Sequence, residues 1–161
     1  MFSLEFCCYQ YVFNSGIITI NSRLVINDKY VTVAGQTAPG KGICVRSAPF
    51  GTSGARDIII QNVRVRLGAG TTYDGMGMAG SNHCIFDHCS ISWTIDEAFS
   101  SRSAKNITLQ RTLISEALNS AGHDKYGPGS EHGFAASIGG DIGSFHHNLL
   151  AHCNGRNWSL A

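Results

Sequence analysis

Two acidic points recur in the chain at a suggestive interval. Asp74 precedes the short run Met76-Gly77-Met78, and Asp96 with Glu97 precedes Ala98-Phe99-Ser100, which places the two aspartates 22 residues apart. If those runs are strands of successive coils, stacked about 4.8 Å apart, the carboxylates come onto one face within reach of a shared cation. Oxygen ligands without nitrogen or sulfur favour calcium over zinc. Two acidic turn residues in a glycine-rich chain would show the same spacing, and Asp74, Asp87, Asp96 and Glu97 also offer carboxylate pairs for glycoside hydrolysis. A second group is basic: His123, Lys125, His132, His146, His147, His152 and Arg156, with only His83 and His88 elsewhere. Each histidine alone reads as a surface or turn residue. Together with Lys125 and Arg156 they suit an anionic ligand such as an acidic sugar polymer, because carboxylates match Arg and Lys donors.

These residues need a scaffold, and the scaffold is written as a repeat. Ile58-Ile59-Ile60-Gln61-Asn62-Val63-Arg64-Val65 aligns with Cys84 to Ile91, with Ile107 to Ile114 and with Gly143 to Leu150. Each segment is a short β run, a polar pair and a second β run. An apolar residue closing the first run is followed five positions later by one in the second, as in Ile60 and Val65, Phe86 and Ile91, Leu109 and Ile114, Phe145 and Leu150. Val33 reads as an earlier member. A leucine-rich repeat would need an L-x-x-L-x-L frame and a helical segment, and neither is present. Between the segments lie third β-like runs: Ile43-Cys44-Val45, Met76-Gly77-Met78, Ala98-Phe99-Ser100 and Ala136-Ser137-Ile138. Three strands per turn predict an all-β, parallel β-helix. Val33, Ile60, Phe86, Leu109 and Phe145 should stack as one inward column, and Val65, Ile91, Ile114 and Leu150 as another. Arg64 and Arg66 should face outward by the period of two. Glycine is expected to supply positive φ at the corners, and Asn119 to Gly133 reads as a loop projecting from the coil.

Composition narrows the function classes. Twelve Lys and Arg against 11 Asp and Glu leave a formal charge of +1 over 161 residues, which argues against nucleic acid and against a polybasic membrane patch. Hydrophobic content of 43% argues against disorder, and 19 glycines imply many tight turns. No apolar run reaches the ~18 residues of a transmembrane helix. Met1 to Phe13 has Glu5 where an export signal needs positive charge. The six cysteines, Cys7, Cys8, Cys44, Cys84, Cys89 and Cys153, contain no C-x-x-C. They read as small apolar packing residues rather than a disulfide framework.

The runs Ile85-Phe86-Asp87-His88-Cys89-Ser90-Ile91-Ser92-Trp93, Asp96-Glu97, and Phe145-His146-His147-Asn148-Leu149-Leu150-Ala151-His152 with Asn154-Gly155-Arg156 resemble the pectate lyase family of right-handed parallel β-helix polysaccharide lyases. Val33-Ala34-Gly35-Gln36-Thr37-Ala38-Pro39-Gly40 and Arg64-Val65-Arg66-Leu67-Gly68 are similar to earlier coils of its secreted microbial branch. The resemblance spans residues 12–161. It implies calcium-assisted β-elimination of polygalacturonate, with Asp74 and Asp96 as calcium ligands and Glu97 as a third. It further implies Arg156 as the base for the C5 proton, and Lys125 as the lysine that neutralises the substrate carboxylate. His123, His132 and Trp158 are assigned to substrate binding, and His132 competes with Lys125 for its role. Arginine is an awkward base because its pKa exceeds ~12.

Three departures from the family pattern stand out. Ser100 occupies a position that is often a further acidic ligand, so Glu97 stands in for it. The family's Arg-x-Pro is Arg156-Asn157-Trp158 here. The chain also reads as incomplete at both ends, with residues 1–11 a non-native or disordered leader to the partial solenoid of residues 12–161. The expected partner is an acidic polysaccharide, the expected assembly a monomer, and the full-length parent is expected to be secreted. A non-catalytic acidic-sugar-binding β-helix and a β-helical hydrolase stand as alternatives.

Overall fold

The computed structural model describes residues 9–68, 70 and 73–161, and its eighteen short strands form three parallel sheets. The first sheet stacks β1 (Tyr9–Val12), β4 (Lys29–Ala34), β7 (Arg56–Gln61), β10 (Asn82–Asp87), β13 (Lys105–Gln110) and β16 (Asp141–His146). The second stacks β2 (Gly16–Thr19), β5 (Ile43–Arg46), β8 (Val63–Arg66), β11 (Ser90–Ser92), β14 (Leu113–Ser115) and β17 (Leu149–Ala151). The third stacks β3 (Leu24–Ile26), β6 (Phe50–Ser53), β9 (Met76–Ala79), β12 (Phe99–Ser100), β15 (Ala136–Ile138) and β18 (Ser159–Leu160). Six coils of three strands each make a parallel β-solenoid. Most of the expected leader, residues 1–8 with Cys7 and Cys8, lies outside the described residues, while Tyr9, Gln10 and Tyr11 pair with Val31, Thr32 and Val33.

The inward columns follow the repeat. Val33, Ile60, Phe86, Leu109 and Phe145 are register partners in sequence along the first sheet. Val45, Val65, Ile91, Ile114 and Leu150 are so along the second. Phe86 and Phe99 meet edge to face at 6.2 Å, and Phe99 meets Phe145 at 6.4 Å. This ties the first and third sheets together across the core. Cys44, Cys84 and Cys89 are buried free thiols, and burial pushes the Cys89 thiol up to about 11.

Two expectations need correction. Ile43-Cys44-Val45 belongs to the second sheet, not the third, whose member in that coil is β6. The short 3-10 turn at Gly35–Thr37 and the residues after it lengthen the first corner of that coil, so the five-residue offset is absent there. The corner-glycine expectation holds between the third and first sheets, where Gly54, Gly80 and Gly140 take positive φ, and needs correction between the first and second. Asn62, His88, Arg111 and His147 adopt φ of 56°, 52°, 47° and 56° in four successive coils. A non-glycine residue there costs on the order of 1–2 kcal/mol, and hydrogen bonding beside the corner offsets it. Gln36 donates to Gln61, Gln61 donates to Asp87 Oδ2 at 3.2 Å, and Gln110 donates to Asp87 Oδ1 at 2.9 Å. Burial alone would raise the Asp87 carboxyl, but hydrogen bonds from His88, Gln110 and Gln61 hold it below the usual range.

The register makes a direct prediction. Phe86 is fully buried, whereas Ile59, on the opposite face of the same sheet, is 39% exposed. Phe86→Ala should cost about 3–5 kcal/mol by cavity formation. Ile59→Ala should cost about 1 kcal/mol or less. Urea unfolding of both variants checks this; equal losses would contradict the inward column.

Candidate active site

The candidate residues sit where the chain passes from the second sheet to the third. Asp74 lies between β8 and β9, and Asp96 and Glu97 occupy the matching turn between β11 and β12. Phe99 pairs with Met76, so the coil register sets Glu97 opposite Asp74. The Gly75 amide donates to the Glu97 carbonyl at 2.9 Å. A Cβ on Gly75 would come within 2.6 Å of Thr94 and 2.9 Å of the Ala98 carbonyl, so only glycine permits this approach. One ligand oxygen from each of Asp74, Asp96 and Glu97 lies within 4.8 Å of the others.

Bringing carboxylates together this way has an electrostatic cost. Burial first, and then the Asp96 carboxylate, push the Asp74 carboxyl above its ordinary value, against a hydrogen bond from Ser100 and the charge of Arg102. Glu97 plays a different part: it is 2% exposed, and its Oε1 contacts the Arg156 guanidinium and lies 3.8 Å from Arg102. The position departing from the family pattern, Ser100, is buried and serves as a hydrogen-bond partner of Asp74.

Arg156 arrives from further along the solenoid. The amides of Ala98, Ala135 and Ala136 donate to the carbonyls of Phe134, Gly155 and Arg156, at 3.0, 3.0 and 2.9 Å. The coil carrying Phe134 therefore lies between those carrying Glu97 and Arg156. Arg156 reaches Glu97 by crossing the Phe134 ring, with its guanidinium carbon 4.1 Å from the ring centroid. Its side chain keeps 39% exposure, enough to meet a ligand.

The loop between β14 and β15 folds back onto this turn. Leu118 donates to the Thr94 carbonyl at 2.7 Å, and Gly133 to the Ile95 carbonyl at 2.9 Å. His123 is buried, with Nε2 3.3 Å from Asp96 Oδ2; it stacks on His132 at 4.7 Å and packs at a tilt against Tyr126 at 4.7 Å. His132 continues the pile to Phe134 at 5.2 Å. Asp96, His123 and His132 thus form a second close group of ligand atoms within 4.8 Å. Lys125 is on the rim, its ammonium 5.1 Å from the Tyr126 ring centroid. Trp158 packs on Phe145 at 5.7 Å beside the same coil. His146 and His147 contact each other at 2.6 Å on the first sheet's side, so the seven-member basic group divides into two. Arg102 and Phe134 escaped sequence reasoning. Arg102 follows the strand that Asp96 precedes, a position the repeat could have flagged, whereas the Phe134 contact depends on side-chain reach.

The Asp74 shift has a thermodynamic sign. A carboxyl raised in the folded state contributes stability at low pH that is lost as pH rises through its folded value. Asp74→Asn should therefore raise the melting temperature of the calcium-free protein at pH 7, at about 2–4 °C per kcal/mol relieved. The gain should vanish below about pH 3.9, where the unfolded carboxyl is also protonated. A calorimetric scan at both pH values checks this, and a lower melting temperature at pH 7 would contradict the forced approach.

No protein-family model matches the chain. Among curated proteins, it is 45% identical over 106 residues to a protein of Neosartorya fischeri named probable pectate lyase C. It is 44% identical to one of that name from Aspergillus fumigatus and 46% identical to one from Emericella nidulans, again over 106 residues. Each match takes in 64% of this chain, and the chain spans 25% of the relatives' own length. By sequence and by its three-sheet parallel solenoid, this chain is a relative of proteins named probable pectate lyase C, with a fold consistent with theirs.

Proposed function

We propose that the whole protein is a polysaccharide lyase that cleaves polygalacturonate or a closely related uronate polymer by β-elimination, with calcium at Asp74 and Asp96. The observation carrying this reading is the approach of two carboxylates from consecutive coils beside a guanidinium from a third. The donor set fits calcium: all-oxygen, carboxylate-rich and electrostatically strained without a cation. Asp74 and Asp96 would hold it, and Glu97 has Oε2 to offer while Oε1 stays with Arg156. With calcium bound, the uronate carboxylate would be neutralised and the proton at C5 acidified.

The chain's own residues supply the remainder. Arg156, fixed by Glu97 and Phe134, takes the C5 proton. It does so in the deprotonated form of its guanidinium, since the charged form has no lone pair to accept a proton; the electron pair left behind forms the C4–C5 double bond, and the C4–O bond breaks as the departing glycosidic oxygen takes a proton from solvent water. Arg102 adds a second cation beside Glu97, and Lys125 on the rim meets a neighbouring substrate carboxylate. Among the described residues no helix is long and apolar enough to cross a membrane. An extracellular setting, where such polymers occur, belongs to the same proposal.

The test is incubation of the full-length protein with polygalacturonate, following the ultraviolet absorbance of the unsaturated uronate end. Absorbance should rise, stop with excess chelator and resume with added calcium. Arg156→Lys, which replaces a planar fork with a flexible ammonium, should lower kcat about 100-fold or more with little change in KM. Reducing ends without the chromophore would mean hydrolysis. Binding without either product would mean a carbohydrate-binding solenoid.

A further inference from the structure

The loop between β14 and β15 delivers one buried imidazole to the acidic cluster, and the hydrogen bonds of that ring fix what it can do there. The backbone N–H of Lys125 donates to His123 Nδ1 at 3.1 Å. A nitrogen that accepts carries no proton, so in the neutral ring the hydrogen resides on Nε2. Nε2 lies 3.3 Å from Asp96 Oδ2, and Nε2–H therefore donates to that carboxylate. Both ring nitrogens are then occupied, and the residue is 7% exposed, which leaves it no edge for a substrate. The same bookkeeping opposes a role as a transition-metal ligand. Nε2 could bind a metal only by losing its proton while Nδ1 still accepts the Lys125 amide, or by breaking that amide contact.

We propose that His123 is a positioning residue for the cation site, holding Asp96 Oδ2 so that the other carboxylate oxygen is presented toward Asp74. This rests on the calcium reading above and deepens it. The supporting frame is built for the purpose. Tyr126 and His132 pack against the ring at 4.7 Å each, and against one another at 4.8 Å, which prevents rotation of the imidazole. The Tyr126 amide donates to the His123 carbonyl at 3.1 Å, and the Gly127 amide converges on the same oxygen. The His132 amide closes the base of the loop by donating to the Asn119 carbonyl at 2.9 Å, and the Gly133 amide ties it to the turn carrying Asp96 by donating to the Ile95 carbonyl at 2.9 Å. Gly133, at φ 67°, could not carry a Cβ without meeting Asn119 Cα at 2.9 Å. The loop thus acts on the acidic ligands through one N–H, and its docking is coupled to the placement of one ligand oxygen.

Calcium chloride titration by calorimetry, without polysaccharide, tests this on wild type, His123→Ala and His123→Gln. His123→Ala should bind calcium about 10–100-fold more weakly, the usual effect of removing a group that orients a ligand. His123→Gln, which retains an N–H at similar reach, should recover most of the affinity. In the wild type, imidazole ¹⁵N shifts should report the Nε2–H form and should move in Asp96→Asn, a readout independent of whether the alanine variant folds. A folded His123→Ala that binds calcium as wild type does, or an Nδ1–H tautomer, would overturn the positioning role alone. No calcium uptake by the wild type would overturn the cation reading and this inference with it. Zinc uptake abolished by both His123→Gln and His132→Gln would make the imidazole a ligand and likewise overturn it.

Discussion

Backbone hydrogen bonding between parallel coils at one strand spacing, about 4.8 Å, is the constraint on which the rest depends. Every strand copies the register of the one beneath it, so a side chain placed at a corner in one coil meets the corner side chain of the next. Where those residues are apolar the result is a core column, as with Ile60, Phe86 and Leu109. Where they are polar it is a ladder, as with Gln61, Asp87 and Gln110. Where they are acidic, the same geometry concentrates negative charge, and the chain must either neutralise it or use it.

Both responses occur at the turn between the second and third sheets. Glu97 is neutralised internally by Arg156 and Arg102 and becomes an anchor. Among the described residues Asp74 and Asp96 have no Lys or Arg at bonding distance, and burial together with Asp96 leaves Asp74 with a raised carboxyl. On the function proposed above, stability is thereby given up at the site that would hold the cation, a common exchange in active sites. The loop contributes from outside the repeat. It adds His123 to Asp96 and an aromatic pile running through His132 and Phe134 to Arg156, so the acidic and basic halves of the site share one packed support.

The solenoid was legible in the chain because its signal is periodic. Apolar residues spaced by five across a polar pair recur in four coils, and their alignment alone identifies both inward columns. The reading failed where the period failed: the residues after Gly35 lengthen one corner, and Ile43–Val45 consequently sat in the wrong sheet. Corner glycines were expected on general grounds and occur between the third and first sheets at Gly54, Gly80 and Gly140, but between the first and second sheets Asn62, His88, Arg111 and His147 take the left-handed conformation, beside side-chain ladders that no local pattern announces. The acidic pair was visible because its spacing is within one residue of a coil, the register partner of Asp74 being Glu97. The link between Arg156 and Glu97 was not, since it depends on a side chain crossing an entire coil over Phe134. His123 was visible as a histidine, but its two hydrogen bonds arise only from how the loop folds.

The central claim is that the turn holding Glu97 in register with Asp74 also brings the neighbouring Asp96 close to Asp74, forming the site proposed to hold a cation. Carboxyl ¹³C titration of Asp74 by nuclear magnetic resonance in the calcium-free protein tests this most directly. The Asp74 carboxyl should titrate above the ~3.9 of an unperturbed aspartate, and Asp96→Asn should bring it part of the way back, because burial remains while the neighbouring charge is gone. An Asp74 titration at the ordinary value, unmoved by Asp96→Asn, would contradict the account.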